Sequence, residues 1–272
     1  MDINTIEKSH MRLVRGLRRS VWDLQDEFQI VDDGDKILAC LSGGKDSYTM
    51  LDMLMNLKHG GGPEFEIIAV NLDQKQPGYP EHILPDYLEA YGVHYEILEK
   101  DTYKIVKEKL AETQTMCSLC SRLRRGTIYE YARKVGAKKI ALGHHREDVL
   151  ETFMLNLFFG GKLEAMPPKY LTDDQQLTVI RPLVYCSEVA IQEYADLREF
   201  PIIPCNLCGS QPKLQRQMIK KMLDSWEREY PGRKQTMMTS LKRVHASHLF
   251  DKKAFDFHDL LKEIQVESAD KS

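Results

Sequence analysis

Six consecutive residues, Ser42-Gly43-Gly44-Lys45-Asp46-Ser47, combine two glycines with a lysine, an acid and two hydroxyls. They follow the apolar run Ile37–Leu41 and precede the helical pattern Tyr48–Leu54. The first turn of a helix leaves backbone N–H groups without partners and carries partial positive charge, so a strand entering a helix through glycines is suited to an anion. Gly43 and Gly44 let a polyphosphate approach the backbone, Lys45 offers charge, and Ser42 and Ser47 offer donors. The Walker pattern is absent, and Asp46 inside an anion loop makes sense when a divalent cation arrives with the phosphates. An ordinary strand-to-helix connection is the alternative, but the residue types and both flanks favour phosphate.

Two Cys-x-x-Cys pairs, Cys117/Cys120 and Cys205/Cys208, form the second reactive group. Four soft thiolates at this spacing suit tetrahedral zinc or an iron–sulfur cluster, and a redox dithiol is a third use. Each pair comes from a different part of the chain and is followed by cations, which is unlike a local zinc knuckle. Cys40 lies in an apolar strand and reads as core; Cys186 has no assigned role.

Weaker candidates sit at strand ends. Asp73 follows one apolar run, and Gly143-His144-His145-Arg146-Glu147-Asp148 follows another. The histidines either face a nucleotide or hold their own loop. Asp148 opens a helical pattern, where it either caps the helix or holds a metal bound to phosphate, with the metal preferred. Gly160-Gly161-Lys162 and Met166–Lys169 read as a loop between helix and strand that suits backbone contact with a partner.

These residues need a frame. Short apolar runs at 36–41, 65–71, 93–98, 138–142 and 177–181 alternate with helical patterns. That rhythm predicts an α/β fold, a parallel twisted sheet with helices on both faces, whose ligands bind beyond the carboxyl ends of the strands. Residues 1–30 form a separate amphipathic helix: Leu13, Leu17, Val21, Leu24 and Phe28 share one face, and Lys8, Arg12, Arg15 and Arg19 the other. The expected organisation is this helix, an α/β domain over 31–200, a helical part over 201–264 carrying the second cysteine pair, and a disordered tail over 265–272.

The 272 residues carry a formal charge of -3. The cations nevertheless gather beside the reactive groups, with Arg122, Arg124 and Arg125 after the first cysteine pair and Lys213, Arg216, Lys220 and Lys221 after the second. Such grouping is what a polyanion partner requires. No apolar stretch approaches the roughly 20 residues needed to span a bilayer, the first residues are polar and charged, and the six cysteines do not form a secreted framework, so a cytoplasmic protein is expected.

Ser42–Ser47 resembles the PP-loop signature of the ATP pyrophosphatases. With Cys117-x-x-Cys120, Leu142-Gly143-His144-His145 and Cys205-x-x-Cys208 in this order, the chain is similar to the TtcA family of tRNA 2-thiocytidine synthetases from about Leu13 to about Phe257. Long runs carry the likeness, among them Cys117–Gly126 and Pro204–Pro212, while the C-terminus is shorter than in members with an acidic tail. The resemblance implies ATP- and Mg²⁺-dependent thiolation of tRNA cytidine 32, a [4Fe-4S] cluster, a sulfur donor such as a cysteine desulfurase, and a homodimer. It implies cluster ligation by Cys117, Cys120 and Cys208, with Cys205 as a spare thiol that acts in catalysis with Lys45 and Asp46. Ser42–Ser47, Asp73, Gly143 and His144 would then bind nucleotide, and Asp46 and Asp148 would hold Mg²⁺. Arg12, Arg15, Arg19, Arg122, Arg124, Arg125, Lys162 and Lys169 would bind tRNA. The sulfur would come from an open iron position or as a persulfide on Cys205 or Cys208. The competing readings are a related thiolase acting on uridine, a lysidine synthetase, which the cysteines disfavour, and a zinc-containing RNA-binding module without catalysis.

Overall fold

The computed structural model of the chain describes residues 10–75, 78–101, 116–203 and 212–258, with the backbone alone at 116–121 and 212–213. It divides into two compact units, residues 1–222 and 223–272.

The first unit is built on β1 (Asp35–Cys40), β2 (Phe65–Asp73), β3 (Tyr95–Glu99), β4 (Lys139–Ala141), β5 (Lys169–Leu171) and β6 (Thr178–Ile180). They form one sheet in the order β3-β2-β1-β4-β6-β5. All pairings are parallel except β5 with β6, and Leu38 of β1 lies level with Ile68 of β2 and Ile140 of β4. Ile67 to Asp73 are buried without a break, so the centre of the sheet is covered on both faces.

Helices α1 (Met11–Phe28), α2 (Lys45–His59), α3 (Ile83–Tyr91), α4 (Met116–Lys134) and α5 (Arg146–Leu155) lie before or between the strands, and α6 (Glu188–Arg198) follows the last of them. The turn Asn156–Gly160 extends α5 as a π-helix. Helix α2 buries Ser47 through Leu54 and Leu57, because it lies among the sheet, α1 and α6, and it is accordingly apolar on most sides. On the sheet, Leu38, Ile68, Val70 and Ile140 pack with Ala132 of α4, Ala137 and Leu177.

Two expectations change. The apolar stripe of α1 is Val14, Leu17, Val21 and Leu24, joined by Gln25, whereas Leu13 and Phe28 are only half-buried. Gln25 is drawn in because its amide bonds both backbone groups of Val31, donating to the carbonyl (2.8 Å) and accepting from the N–H (3.0 Å). Lys169, read as part of a loop, begins β5, a three-residue antiparallel edge strand too short for apolar alternation to reveal. Its Nζ donates to the carbonyl of Gln29 (2.9 Å), the left-handed residue that ends α1, and so supplies a cation where the last turn of that helix has none.

Helix α7 (Pro212–Glu229) runs from the first unit into the second, which also holds α8 (Arg233–Leu241) and the short turn Ala246–His248. Within the second unit, Glu227 accepts the N–H groups of Gly232 (2.9 Å) and Lys234 (2.8 Å), and Asp224 accepts from Lys234 Nζ (2.6 Å). These contacts close the turn between the two helices and place an acid at the N-terminus of α8.

Candidate active site

The sheet order reverses at β1, whose neighbours are β2 on one side and β4 on the other. In open α/β sheets the loops leaving two such strands part and leave a crevice at their carboxyl ends. Here they are Leu41–Gly44 after β1 and Leu142–His145 after β4. A cleft of about 460 Å³ opens at this place, lined by Ser42, Gly44, Asp46 and Ser47 from the first loop and Gly143, His144 and Asp148 from the second. The rest of its wall includes Asn71, Asp73, Tyr79, Arg124 and Ile203.

Loop 42–47 is held open by its own side chains. Ser47 Oγ donates to the carbonyl of Gly44 (2.8 Å) and accepts the N–H of Ser42 (3.2 Å), while Ser42 Oγ accepts the N–H of Gly44 (3.3 Å). Gly43 has φ +79°, a left-handed conformation that favours glycine, and its carbonyl accepts the N–H of Ile203 (2.9 Å). A Cβ on Gly43 would stand 2.8 Å from Ile203 Cδ1. Gly143 is needed for space: a Cβ there would stand 3.1 Å from the carbonyl of Asp46 and 3.2 Å from the N–H nitrogen of Ser47. The two loops thus touch through a residue without a side chain.

The charged groups form a chain. Lys45 Nζ is 2.9 Å from Asp46 Oδ1 and 3.7 Å from Glu188 Oε1. His145 Nε2 lies between Asp46 Oδ1 (3.9 Å) and Asp148 Oδ2 (3.4 Å), and its Nδ1 is 3.4 Å from Glu147 Oε2. Burial would lower the pKa of His145, but Glu147, Asp148 and Asp46 outweigh it and raise the imidazole above its ordinary value. Glu147 is buried as well, yet His145, Arg146 and the N–H of Glu188 hold its carboxyl below the usual carboxylate range. Burial, with Arg181, Arg216 and His145 beside it, lowers His144 despite Asp148. Its Nδ1 is buried and has no hydrogen-bond partner among the described residues.

Of the residues read from sequence, Ser42, Gly44, Asp46, Ser47, Asp73, Gly143, His144 and Asp148 share the cleft wall. The carboxylate of Asp73 is engaged by Lys75, whose N–H and Nζ reach it at 2.7 and 3.0 Å. Asp148 also serves its helix, accepting the N–H of His145 (3.0 Å). Cys40 was read as core; it packs against the core but also lines the cleft, where burial pushes its thiol up to about 12. Cys186 is buried, with its thiol likewise pushed up to about 12. Among the expected polyanion contacts, Arg12, Arg15, Arg19, Arg122, Arg125 and Lys162 are exposed, whereas Arg124, also exposed, lines the cleft wall. Sequence reasoning missed Glu188, and it read Tyr48 only as part of a helical pattern and Arg216 only as one of the cations after the second cysteine pair; all three act through partners distant in the chain. The side chains of Cys117 and Cys120, in the first turn of α4, and residues Cys205 and Cys208 lie outside what the structure describes.

Residues 16–223 match the family model of the PP-loop domain. The chain is 58% identical to the tRNA-cytidine(32) 2-sulfurtransferase of Ectopseudomonas mendocina over 258 residues, 95% of this chain and 94% of that protein. It is 60% identical to the protein of the same name from Chromohalobacter salexigens over 249 residues, 92% of this chain and 88% of the other. Among solved structures, the U34-tRNA thiolase NcsA from Methanococcus maripaludis with its [4Fe-4S] cluster shares the fold, with a TM-score of 0.68, 22% identity, and 86% and 80% of the two chains covered.

Proposed function

Because the chain belongs to the PP-loop family and, within it, to the tRNA-cytidine(32) 2-sulfurtransferases, we propose that it binds ATP in this cleft and uses it to replace the C2 oxygen of cytidine 32 by sulfur. The observation that carries this reading is the meeting of the glycine loop, Lys45, Asp46 and Asp148 at the sheet's switch point.

The C2 carbonyl of cytosine is a poor electrophile because the ring nitrogens donate into it. Attack of O2 on the α-phosphorus of ATP releases pyrophosphate and leaves AMP on the base, and a sulfur nucleophile then displaces AMP. Loop 42–47 receives the pyrophosphate on its amides, Lys45 neutralises it, and catalysis of the first step is positioning and charge stabilisation. Asp46 and Asp148 suit Mg²⁺. Among the described residues no group of three metal ligands is gathered, and Mg²⁺ carried by phosphates needs only one or two carboxylates. His144, in the cleft wall, faces the nucleotide, and Gly143 lets its loop pack against the backbone of Asp46 and Ser47.

The donor set of Cys117, Cys120 and Cys208 is chemically suited to a [4Fe-4S] cluster, which when bound supplies iron–sulfur chemistry for the transfer. Cys205 is then the thiol left to carry sulfur, delivered by a donor such as a cysteine desulfurase. Arg12, Arg15, Arg19, Arg122, Arg125 and Lys162 present exposed cations to the tRNA backbone, with Lys169 at the sheet edge and Arg124 reaching the cleft itself. Among the described residues no helix is long and apolar enough to cross a membrane. A cytoplasmic homodimer completes the proposal.

Lys45→Ala and Asp46→Ala test it. Each is expected to cut ATP-dependent 2-thiocytidine formation by about 10²-fold or more, with the circular dichroism spectrum unchanged. Nucleoside mass spectrometry of the tRNA reads the result, and unchanged turnover would remove the loop from the reaction. Iron and zinc assays on anaerobically purified protein test the cluster, and one zinc without iron would overturn it.

A further inference from the structure

Lys45 carries the charge that the proposed reaction asks of the phosphate loop, and two carboxylates hold it. Its Nζ is 2.9 Å from Asp46 Oδ1 and 3.7 Å from Glu188 Oε1. Asp46 lines the cleft, whereas Glu188 lines a neighbouring cavity of about 220 Å³ with Asp148, Arg216 and Lys220 among its walls. A lysine is a point charge on a long flexible stem, so its ammonium is placed only as well as its partners are. Asp46 is the next residue in the chain and shares the first turn of α2 with Lys45. Glu188 belongs to another element and supplies a fixed point outside the loop.

Glu188 is itself held at both its backbone and its side chain. It stands in the first turn of α6, where Ser187 Oγ caps the helix by accepting the N–H of Ala190 (3.2 Å) and where an acid suits the helix dipole. The N–H of Glu188 donates to Glu147 Oε2 (2.8 Å), and Glu147 is held in turn by Arg146 Nη2 (2.7 Å). On the carboxylate, Lys45 faces Oε1 and Lys220 of α7 pairs with Oε2. The backbone of Glu188 is thus joined to the segment after β4 and its side chain to the loop after β1, the two segments that form the cleft. An acid that served the helix dipole alone would need no lysine on each oxygen.

Charge counting gives Lys220 a separate task. Asp46 and Glu188 match Lys45 and Lys220 in number, so the group is neutral. Without Lys220, excess negative charge would stand beside the ammonium that meets an incoming polyphosphate.

We propose that Glu188 is a positioning residue for Lys45 and that Lys220 offsets its charge, so that the carboxylate fixes the ammonium without repelling the triphosphate. The inference rests on the reading that the cleft takes ATP. Its two halves act on different constants. Neutralising Glu188 leaves Lys45 misplaced for the transition state and removes a negative charge from the margin of an anion site, whereas neutralising Lys220 adds repulsion there.

The test uses the full-length holoenzyme, kept anaerobic, with calorimetry of α,β-methylene-ATP and Mg²⁺ as the binding probe. Glu188→Gln keeps the side-chain shape and the N–H bonded to Glu147. It should lower kcat for 2-thiocytidine formation about tenfold or more, while affinity for the probe stays equal or rises. Lys220→Gln should weaken the probe about two- to fivefold, the range of a partly exposed charge pair, and raise KM for ATP by the same factor. In the Glu188→Gln background, Lys220→Gln should leave probe affinity unchanged, because the charge it offset is gone. General destabilisation gives no such split between kcat and affinity. The Lys220 side chain is 42% exposed, so its variant keeps the test decisive should Glu188→Gln fold poorly. Parent-like kcat in Glu188→Gln, weaker probe binding in that variant, parent-like probe binding in Lys220→Gln, or additive effects in the double variant would each overturn the inference alone. Absence of probe binding to the unaltered protein overturns the ATP reading beneath it.

Discussion

Gly43→Ala adds one methyl group at a position where two costs can be separated. The backbone of Gly43 has φ +79°, and placing an L-residue in left-handed conformation costs about 1–2 kcal/mol. The new Cβ would also stand 2.8 Å from Ile203 Cδ1, 3.0 Å from its Cβ and 3.1 Å from its Cγ1, and overpacking of this kind costs about 1–3 kcal/mol. The expected loss is therefore about 2–5 kcal/mol, a large share of the roughly 5–15 kcal/mol that holds a domain together. Equilibrium urea unfolding of full-length protein measures it. Ile203→Val removes the closest atom at a cost of about 0.5–1.5 kcal/mol by itself, and in that background Gly43→Ala should cost about 1 kcal/mol less. The left-handed contribution stays, so relief is partial. If the loop instead yields by moving, its amides leave the phosphate and ATP affinity falls, tenfold for every ~1.4 kcal/mol. A loss under about 1 kcal/mol with unchanged ATP binding, or additivity of the two substitutions, would refute the reasoning.

Asp52, buried in α2, accepts from Tyr91 and from Tyr194 (3.0 Å) and pairs with Arg198 (3.1 Å); Asp52→Ala should destabilise by about 3–5 kcal/mol in urea titrations because it removes the carboxylate that faces a largely buried guanidinium and two tyrosine hydroxyls. Asp52→Ala combined with Arg198→Leu should recover part of that loss, and no recovery would show the ion pair to be incidental. Glu147, held below its ordinary pKa of 4.5, contributes stability that is present above that value and is lost as pH falls below it. The imidazole of His145, raised above 6.5, contributes below 6.5 and loses that contribution as pH rises through its elevated pKa. Thermal melts across pH should therefore show Glu147→Gln approaching the parent protein below pH 4.5 and falling furthest behind between the two values; a constant gap would refute the assignment.

Of the five strands legible in the sequence, the interior β1, β2, β4 and β6 are largely buried and carry apolar branched residues, whereas β3, at the sheet edge with no residue fully buried, showed through Ile97, Leu98 and its alternation with helical patterns. The edge strand Lys169–Leu171, with two of three residues exposed, follows two prolines and leaves no such trace. Loop 42–47 was legible because phosphate binding concentrates glycines, a lysine and hydroxyls in one stretch. That Arg124, alone of Arg122, Arg124 and Arg125, lines the cleft was not legible, since helical periodicity tells which residues share a face and not which face meets the end of the sheet. The bond from Tyr194 to Asp52 spans 142 residues, and Arg216 reaches back 64 to Thr152; contacts of this kind arise only when the sheet order is known.

Helix α1 carries its charges against its own dipole. Arg12 and Arg15 stand near the N-terminal end, Asp26 and Glu27 in the last turn, and the first turn holds no acid. A charge on the wrong end of a helix costs about 0.3–1 kcal/mol at low ionic strength, and the cation that would serve the far end is lent by Lys169 from the edge of the sheet. If Arg12 and Arg15 meet the tRNA backbone as proposed, the polyanion would relieve their share of this repulsion. Salt then acts with opposite sign on the two states: it screens the repulsion and steadies the free protein, while it weakens the complex in which that repulsion has already been relieved.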